Sequence, residues 1–137
     1  MKGYYLSFTT LFLLFPIIIY INNPKKTVSE TILAFLLFAN ISFSFFFWLY
    51  PTQNSIIHLY DGVLAKISYI VFFIYILFIK EIKYKFKLLF LMIFLFSAGM
   101  FYYSNHYSKE SWCSKQHLVC HSLFHLLISI GSAIAFL

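Results

Sequence analysis

Arginine is absent from this chain, acidic residues number four, and charged residues of either sign make up 10% of its 137 positions. A soluble domain carries about 25% charged residues. The chain therefore cannot clothe itself in a solvated surface, which argues against a soluble enzyme. Two cysteines do not make a secreted disulfide scaffold, and so apolar a composition argues against disorder. What fills the chain instead is 62% hydrophobic residues, among them 19 Phe, 11 Tyr and 2 Trp, with a mean hydropathy of +0.86. This composition belongs to a polytopic, all-α membrane protein. All ten basic residues are Lys, which together with abundant Phe, Ile, Asn and Tyr points to AT-rich coding. The net charge of +6 would suit a nucleic-acid partner. Every Lys except Lys66, however, lies in or beside an expected loop, so membrane topology accounts for the charge and no nucleic acid is expected.

A spanning helix needs about 20 apolar residues, which limits a chain of this length with short connections to about five spans. The apolar runs are 4–21, 31–50, 61–79, 88–104 and 118–137. They read as one transmembrane domain over 1–137, a helical bundle with no internal repeat. The first run, interrupted by Pro16, reads as a span and not as a signal peptide. No small-x-small cleavage site follows it, and Asn22-Asn23-Pro24-Lys25-Lys26 makes a turn with a charged anchor. Ser29 and Glu30 suit the first turn of the second run, and Pro51 closes it. Lys25, Lys26, Lys80, Lys83, Lys85 and Lys87 share one membrane face, against Lys2, Lys109 and Lys115 on the other. The positive-inside rule then puts the N-terminus on the non-cytoplasmic side and the C-terminus in the cytoplasm.

Ionisable groups at membrane depth are expensive and face a bundle interior or a cavity, so the few present here are informative. His117, His121 and His125 recur at i, i+4 and i+8, on one helix face. Two His one turn apart can ligate a single zinc ion. For His117, near the boundary, hydrogen bonding to headgroups or neighbouring helices is the expected role; for His121 and His125, a ligand role. In the third run His58, Asp61, Ala65, Ser68 and Phe72 share a face. Asp61 there has two readings: a helix cap, or a carboxylate that orients a metal-bound imidazole or water. The third and fifth runs are parallel and both start on the non-cytoplasmic face, so Asp61 and the His pair lie at a similar depth. Asn40, Ser44 and Trp48, spaced i, i+4 and i+8, approach the same face, where interhelical hydrogen bonding and an interfacial indole already explain them. Lys66 is expected to point away from the Asp61 face and snorkel to the interface, His106 to be solvated, and Tyr102, Tyr103, Tyr107 and Trp112 to form an interfacial belt. Cys113 and Cys120 could be bridged only if Cys113 lies in the loop, and structural or free thiols are the expected state.

The stretch His121-Ser122-Leu123-Phe124-His125, followed by Leu-Leu-Ile-Ser-Ile-Gly-Ser, together with Ser44 and with Asp61 in the run His58 to Ala65, resembles the CREST superfamily of membrane hydrolases. That superfamily holds the alkaline ceramidases, the progestin and adipoQ receptors and the hemolysin III relatives. In it, a His-x3-His in the last helix binds zinc with a third His from a Ser-x3-His motif in helix two, and an Asp near the start of helix three holds the zinc water. The resemblance, over about residues 40–79 and 117–137, implies a zinc-dependent hydrolase of a lipid amide or ester such as ceramide. His121 and His125 would be metal ligands, Asp61 the general base and Ser44 a candidate oxyanion donor. Four residues after Ser44 stands Trp48 where that pattern has His, and His58 is the nearby replacement as third ligand. The superfamily has seven helices, this chain about five. Removing two between the Asp helix and the His-x3-His helix keeps those two parallel but leaves the lipid cavity short of walls, which an oligomer could supply. Trp48 also keeps open a reading as a catalytically inactive membrane interaction or structural protein. Paired imidazoles from His58 and one of His121 or His125 keep open a b-type haem.

Overall fold

A computed structural model describes residues 3–137; Lys2, one of the lysines in the orientation argument, lies outside the described residues. The described residues form an all-α bundle without strands, and five helices are long and apolar enough to cross a membrane: α1 Tyr4–Asn22, α2 Val28–Leu49, α3 Ile56–Ile79, α4 Tyr84–Glu110 and α5 Lys115–Phe136. The chain is thus a multi-pass integral membrane protein by length and composition of its helices. α4 and α5 make the most extensive helix pair, α1 packs on both α2 and α5, and α2 packs on α3.

Local chemistry explains where the helices start, bend and stop. Thr27 caps α2 with a full capping box, its hydroxyl accepting from Glu30 N–H while Glu30 Oε2 accepts from Thr27 N–H. Removing the cap hydroxyl in Thr27→Ala is expected to cost about 1 kcal/mol, read as a lower unfolding midpoint in detergent. α1 tightens to a 3-10 turn at Leu11–Leu13, just ahead of Pro16. Proline has no N–H for the carbonyl four residues earlier; that carbonyl, of Phe12, instead accepts from the Ser129 hydroxyl of α5 at 2.5 Å. Gly131 marks the close approach of α4 and α5, where a β-carbon would lie 3.2 Å from Ile93 Cγ2.

The third helix starts five residues earlier than its apolar run, because Ser55 caps it by accepting from His58 N–H. Asp61 is therefore inside the second turn, and the capping role is Ser55's. At its other end α3 widens to a π turn, Tyr75–Ile79, closed by Lys80 N–H to Tyr75 O at 2.7 Å. This turn delivers Lys80 to Glu30: Nζ and Oε1 are 2.7 Å apart with both side chains buried, and Tyr75 Oη donates to the same oxygen at 3.3 Å. α4 runs six residues beyond its apolar stretch, and a tight turn with Cys113 in the left-handed region (φ 58°) leads into α5, capped by Ser114.

Two apolar clusters fill the bundle. The larger one, near the Glu30–Lys80 end, includes Leu33, Leu37, Phe72, Ile76, Phe90 and Phe136; the smaller, at the opposite end, joins Leu6, Phe47, Trp48 and Leu118. Between them, polar side chains tie helices together: Asn40 Nδ2 donates to Ser68 Oγ across α2 and α3, and Tyr69 Oη meets Phe94 O and Ser97 Oγ across α3 and α4. Large apolar side chains such as Phe35, Phe38, Phe46, Phe78 and Phe96 point outward, as a lipid-facing surface requires.

Candidate functional site

Three helices converge at the Trp48 end. Ser44 and Trp48 from α2, His58 and Asp61 from α3, and His121 and His125 from α5 line a single chamber of about 600 Å³. Exposed Gln53, Asn54, Asn105 and Lys109 form its rim. Helical periodicity makes this convergence: Ser44 and Trp48 are one turn apart on one face, as are His58 with Asp61 and His121 with His125. Lys66 also borders the chamber, so it does not point away from the Asp61 side as its spacing suggested. A narrow apolar crevice of about 60 Å³ shares Leu13, Asn40, Ala65, Phe124 and Ile128 with the chamber and continues between Leu37, Phe72, Phe90 and Phe94.

The four histidines of this region differ in which ring nitrogen is free. A neutral imidazole carries one N–H and one lone pair, so the partner of one nitrogen decides what the other can do. The Thr9 hydroxyl lies 3.0 Å from Leu6 O and 2.8 Å from His125 Nδ1, and when its proton is on Leu6 O it faces the ring as an acceptor. In that arrangement Nδ1 of His125 carries the proton and Nε2 keeps its lone pair. His121 Nδ1 is 2.8 Å from the buried Ser104 hydroxyl, which can accept from it in the same way. These hydroxyls are the outer partners that orient a ligating imidazole. The two rings lie 4.6 Å apart, centroid to centroid.

His58 and His117 show the reverse pattern. Asn54 N–H donates to His58 Nδ1 at 3.2 Å, and Cys113 N–H donates to His117 Nδ1 at 3.1 Å. Each of these neutral rings therefore holds its proton on Nε2 and has no lone pair to give a metal. His58 is also stacked flat on Phe47, 4.9 Å between centroids and 3° between planes, with Trp112 against its edge. In this arrangement His58 closes the 50–55 turn and does not offer the third ligand; the same proton count applies to a haem iron. His117 closes the tight turn at Cys113 between α4 and α5, so its partner is the loop before its own helix and not the headgroup or neighbouring helix expected from its position. Among the described residues no three of His, Cys, Asp and Glu converge closely enough to hold a metal ion by themselves. Of the expected zinc ligands the structure brings together only His121 and His125, while Trp48, a donor only, and His58 leave the third protein position unfilled.

Asp61 faces the Ser44 hydroxyl across the chamber. Thr10 Oγ1 lies 2.7 Å from Leu6 O and 3.3 Å from Ser44 Oγ, a contact in which either hydroxyl can donate. The Ser44 hydroxyl thus lies between Thr10 Oγ1 and the Asp61 side of the chamber. Trp48 is 2% exposed, and its Nε1 has no hydrogen-bond partner among the described residues. Cys113 and Cys120 are free thiols although Cys113 does lie in the loop, and burial pushes the Cys113 thiol up from its ordinary range.

Sequence reasoning found every chamber-lining ionisable residue of the bundle core except Lys66, and missed Thr9 and Ser104. Thr9 stands 116 residues from His125, and nothing in an apolar first span distinguishes it from the neighbouring Thr10. Compared with family models, curated proteins and solved structures, the chain matches none.

Proposed function

We propose that this chain is a membrane-embedded, zinc-dependent hydrolase of lipid amide or ester bonds, ceramidase-like in chemistry, with its chamber on the non-cytoplasmic side. The observation that carries the reading is one chamber holding a hydroxyl-oriented His pair opposite a carboxylate, with an apolar crevice leading from it. Zinc, when bound, supplies a Lewis acid that polarises a carbonyl and acidifies water. His121 and His125 would hold it through Nε2, with Thr9 and Ser104 fixing the rings. Asp61 would take the proton of the attacking water on a carboxylate oxygen, and Ser44, donating to that carboxylate, would orient it. The crevice between Phe72, Phe90 and Phe94 would receive the start of an acyl chain. The Lys distribution supports an N-terminus outside or in the lumen and a C-terminus in the cytoplasm.

Metal analysis of the detergent-purified protein tests this directly. About one zinc per chain is expected in the wild type, with most of it lost in His121→Ala and in His125→Ala while both variants stay monodisperse. Absence of stoichiometric zinc from the wild type overturns the hydrolase reading.

The Nε2-protonated His58 and the indole at position 48 favour a second reading, a non-catalytic membrane interaction protein whose His and Asp residues form a buried hydrogen-bond network. Under it, the wild type is zinc-free, and His125→Ala lowers thermal stability without changing any lipid hydrolysis.

A further inference from the structure

We propose that the lipid taken up by the chamber carries a phosphate in its headgroup, held at the chamber mouth by the ammonium groups of Lys66 and Lys109. The bond to be cut rests on the hydrolase reading; the phosphate rests on the chamber alone. Lys66 stands ten residues into α3, counted from Ile56, which is about 15 Å along the span by helix rise. A cation that deep needs a counter-charge or a water-filled cavity. Lys66 borders the chamber, and so does Lys109 from the last turn of α4. Asp61 is the only acid among the lining residues, and it pairs with neither lysine: the ion pairs among the described residues are Glu30–Lys80 and His106–Glu110. The positive-inside rule accounts for the lysines at 25–26 and 80–87, at the other end of the bundle, but gives no reason for two cations at the chamber.

Both lysine side chains are exposed, so a ligand can reach them, and neither makes a hydrogen bond among the described residues. A helical side chain leaves the backbone toward the N-terminal end of its helix, which directs Lys66 to the mouth beside Asn54. The side-chain amides of Asn54 and Asn105, exposed on the rim, also have no partner among the described residues. Two ammonium groups and two amides thus offer N–H donors around one opening. A phosphate matches this set, because its charge answers the ammonium groups and its several oxygens accept from more than one donor at once. The apolar crevice that continues from the chamber between Phe72, Phe90 and Phe94 gives an attached acyl chain its place. A lipid phosphate therefore fits the whole cavity, and a free phosphate only its mouth.

The test compares N-hexanoyl-sphingosine with its 1-phosphate, two lipids that differ in the phosphate alone. Each is used to displace a fluorescently labelled short-chain ceramide 1-phosphate from the full chain in a nonionic detergent. EDTA is present so that neither hydrolysis nor a metal-held phosphate intrudes. Wild type is expected to bind the phosphorylated lipid about tenfold more tightly, a preference that narrows as salt is raised. Lys66→Met and Lys109→Met are each expected to lose most of it by weakening the phosphorylated lipid alone, and Lys66→Arg to keep it, since the charge remains. Lys115→Met removes a lysine outside the chamber and is expected to leave the preference unchanged.

Equal binding of the two lipids by wild type overturns the assignment, as does a preference that Lys66→Met retains or that Lys115→Met abolishes. If Lys66→Met fails to fold, a preference retained by Lys109→Met overturns it independently. Inorganic phosphate that displaces the probe as well as the phosphorylated lipid does overturns the lipid as its source, and failure to bind the probe at all overturns the site. A phosphate preference in a protein without stoichiometric zinc supports the site and removes the hydrolase reading alone. A zinc-loaded wild type that binds both lipids equally does the reverse.

Discussion

Asp61→Asn is expected to lower turnover of a short-chain ceramide by about 10²- to 10⁴-fold, the range that a positioned general base contributes, with zinc content and helicity unchanged. The amide is nearly isosteric with the carboxylate and can still accept from Ser44, so the chamber keeps its shape while losing the group that, in the proposed reaction, would take a proton from water. The comparison that separates a base from a structural carboxylate is Ser44→Ala. Losing Ser44 removes one orienting hydrogen bond, worth about 0.5–1.5 kcal/mol, and is expected to cost no more than about tenfold. Initial rates in mixed micelles, read beside zinc stoichiometry in the same preparations, check both. If Asp61→Asn retains more than about a tenth of wild-type turnover, another group carries the proton.

Glu30→Ala is expected to destabilise the bundle by about 3–5 kcal/mol, because it leaves the Lys80 ammonium buried without its counter-charge. The two side chains are 5% and 8% exposed and 2.7 Å apart. Glu30 also accepts from Tyr75 Oη and closes the capping box with Thr27, so the alanine removes three bonds at once. Glu30→Gln separates these contributions, since its amide oxygen can still accept from a neighbouring donor while the charge is gone. Paired with Lys80→Met, which removes the stranded ammonium, it is expected to recover most of the loss. Such recovery shows as a coupling term in a double-mutant cycle, measured by thermal unfolding in a fixed detergent. Additive losses in the double variant would mean that the pair does not act as a unit.

The Glu30 pair also shows how far the sequence is legible. Its place in the first turn of α2 could be read from Thr27-Val28-Ser29-Glu30 and the apolar run that follows. Its burial against Lys80 could not. That pairing depends on the π turn Tyr75–Ile79, which rotates the end of α3 and brings a residue 50 positions away to the Glu30 carboxylate. A charge beside an expected loop looks solvated in the sequence, and only the packing of α2 against α3 shows that this one is not.

Asp61 and the histidines divide along the same line. Spacing alone puts His121 over His125 and Asp61 over His58, because a helix returns to the same face after one turn. Parallel direction alone puts Asp61 and the His pair at one depth. Which histidine nitrogen is free depends on partners far away in the chain or hidden in turns: Thr9 and Ser104 for the α5 pair, the backbone N–H groups of Asn54 and Cys113 for His58 and His117. Asp61 taken alone reads as a helix cap, and Ser55 is the residue that fills that position.

The sequence by itself determined that the chain lives in a bilayer, that it crosses about five times, and which faces of which helices carry its few polar groups. These follow from hydropathy and helical period, which are properties of neighbouring residues. The tertiary structure decided that those faces meet in one chamber, that Glu30 and Lys80 neutralise each other inside the protein, and which hydroxyl or backbone N–H faces each histidine ring. The reason is that a hydroxyl or an imidazole has one proton to place, and only its three-dimensional neighbours determine where the proton goes.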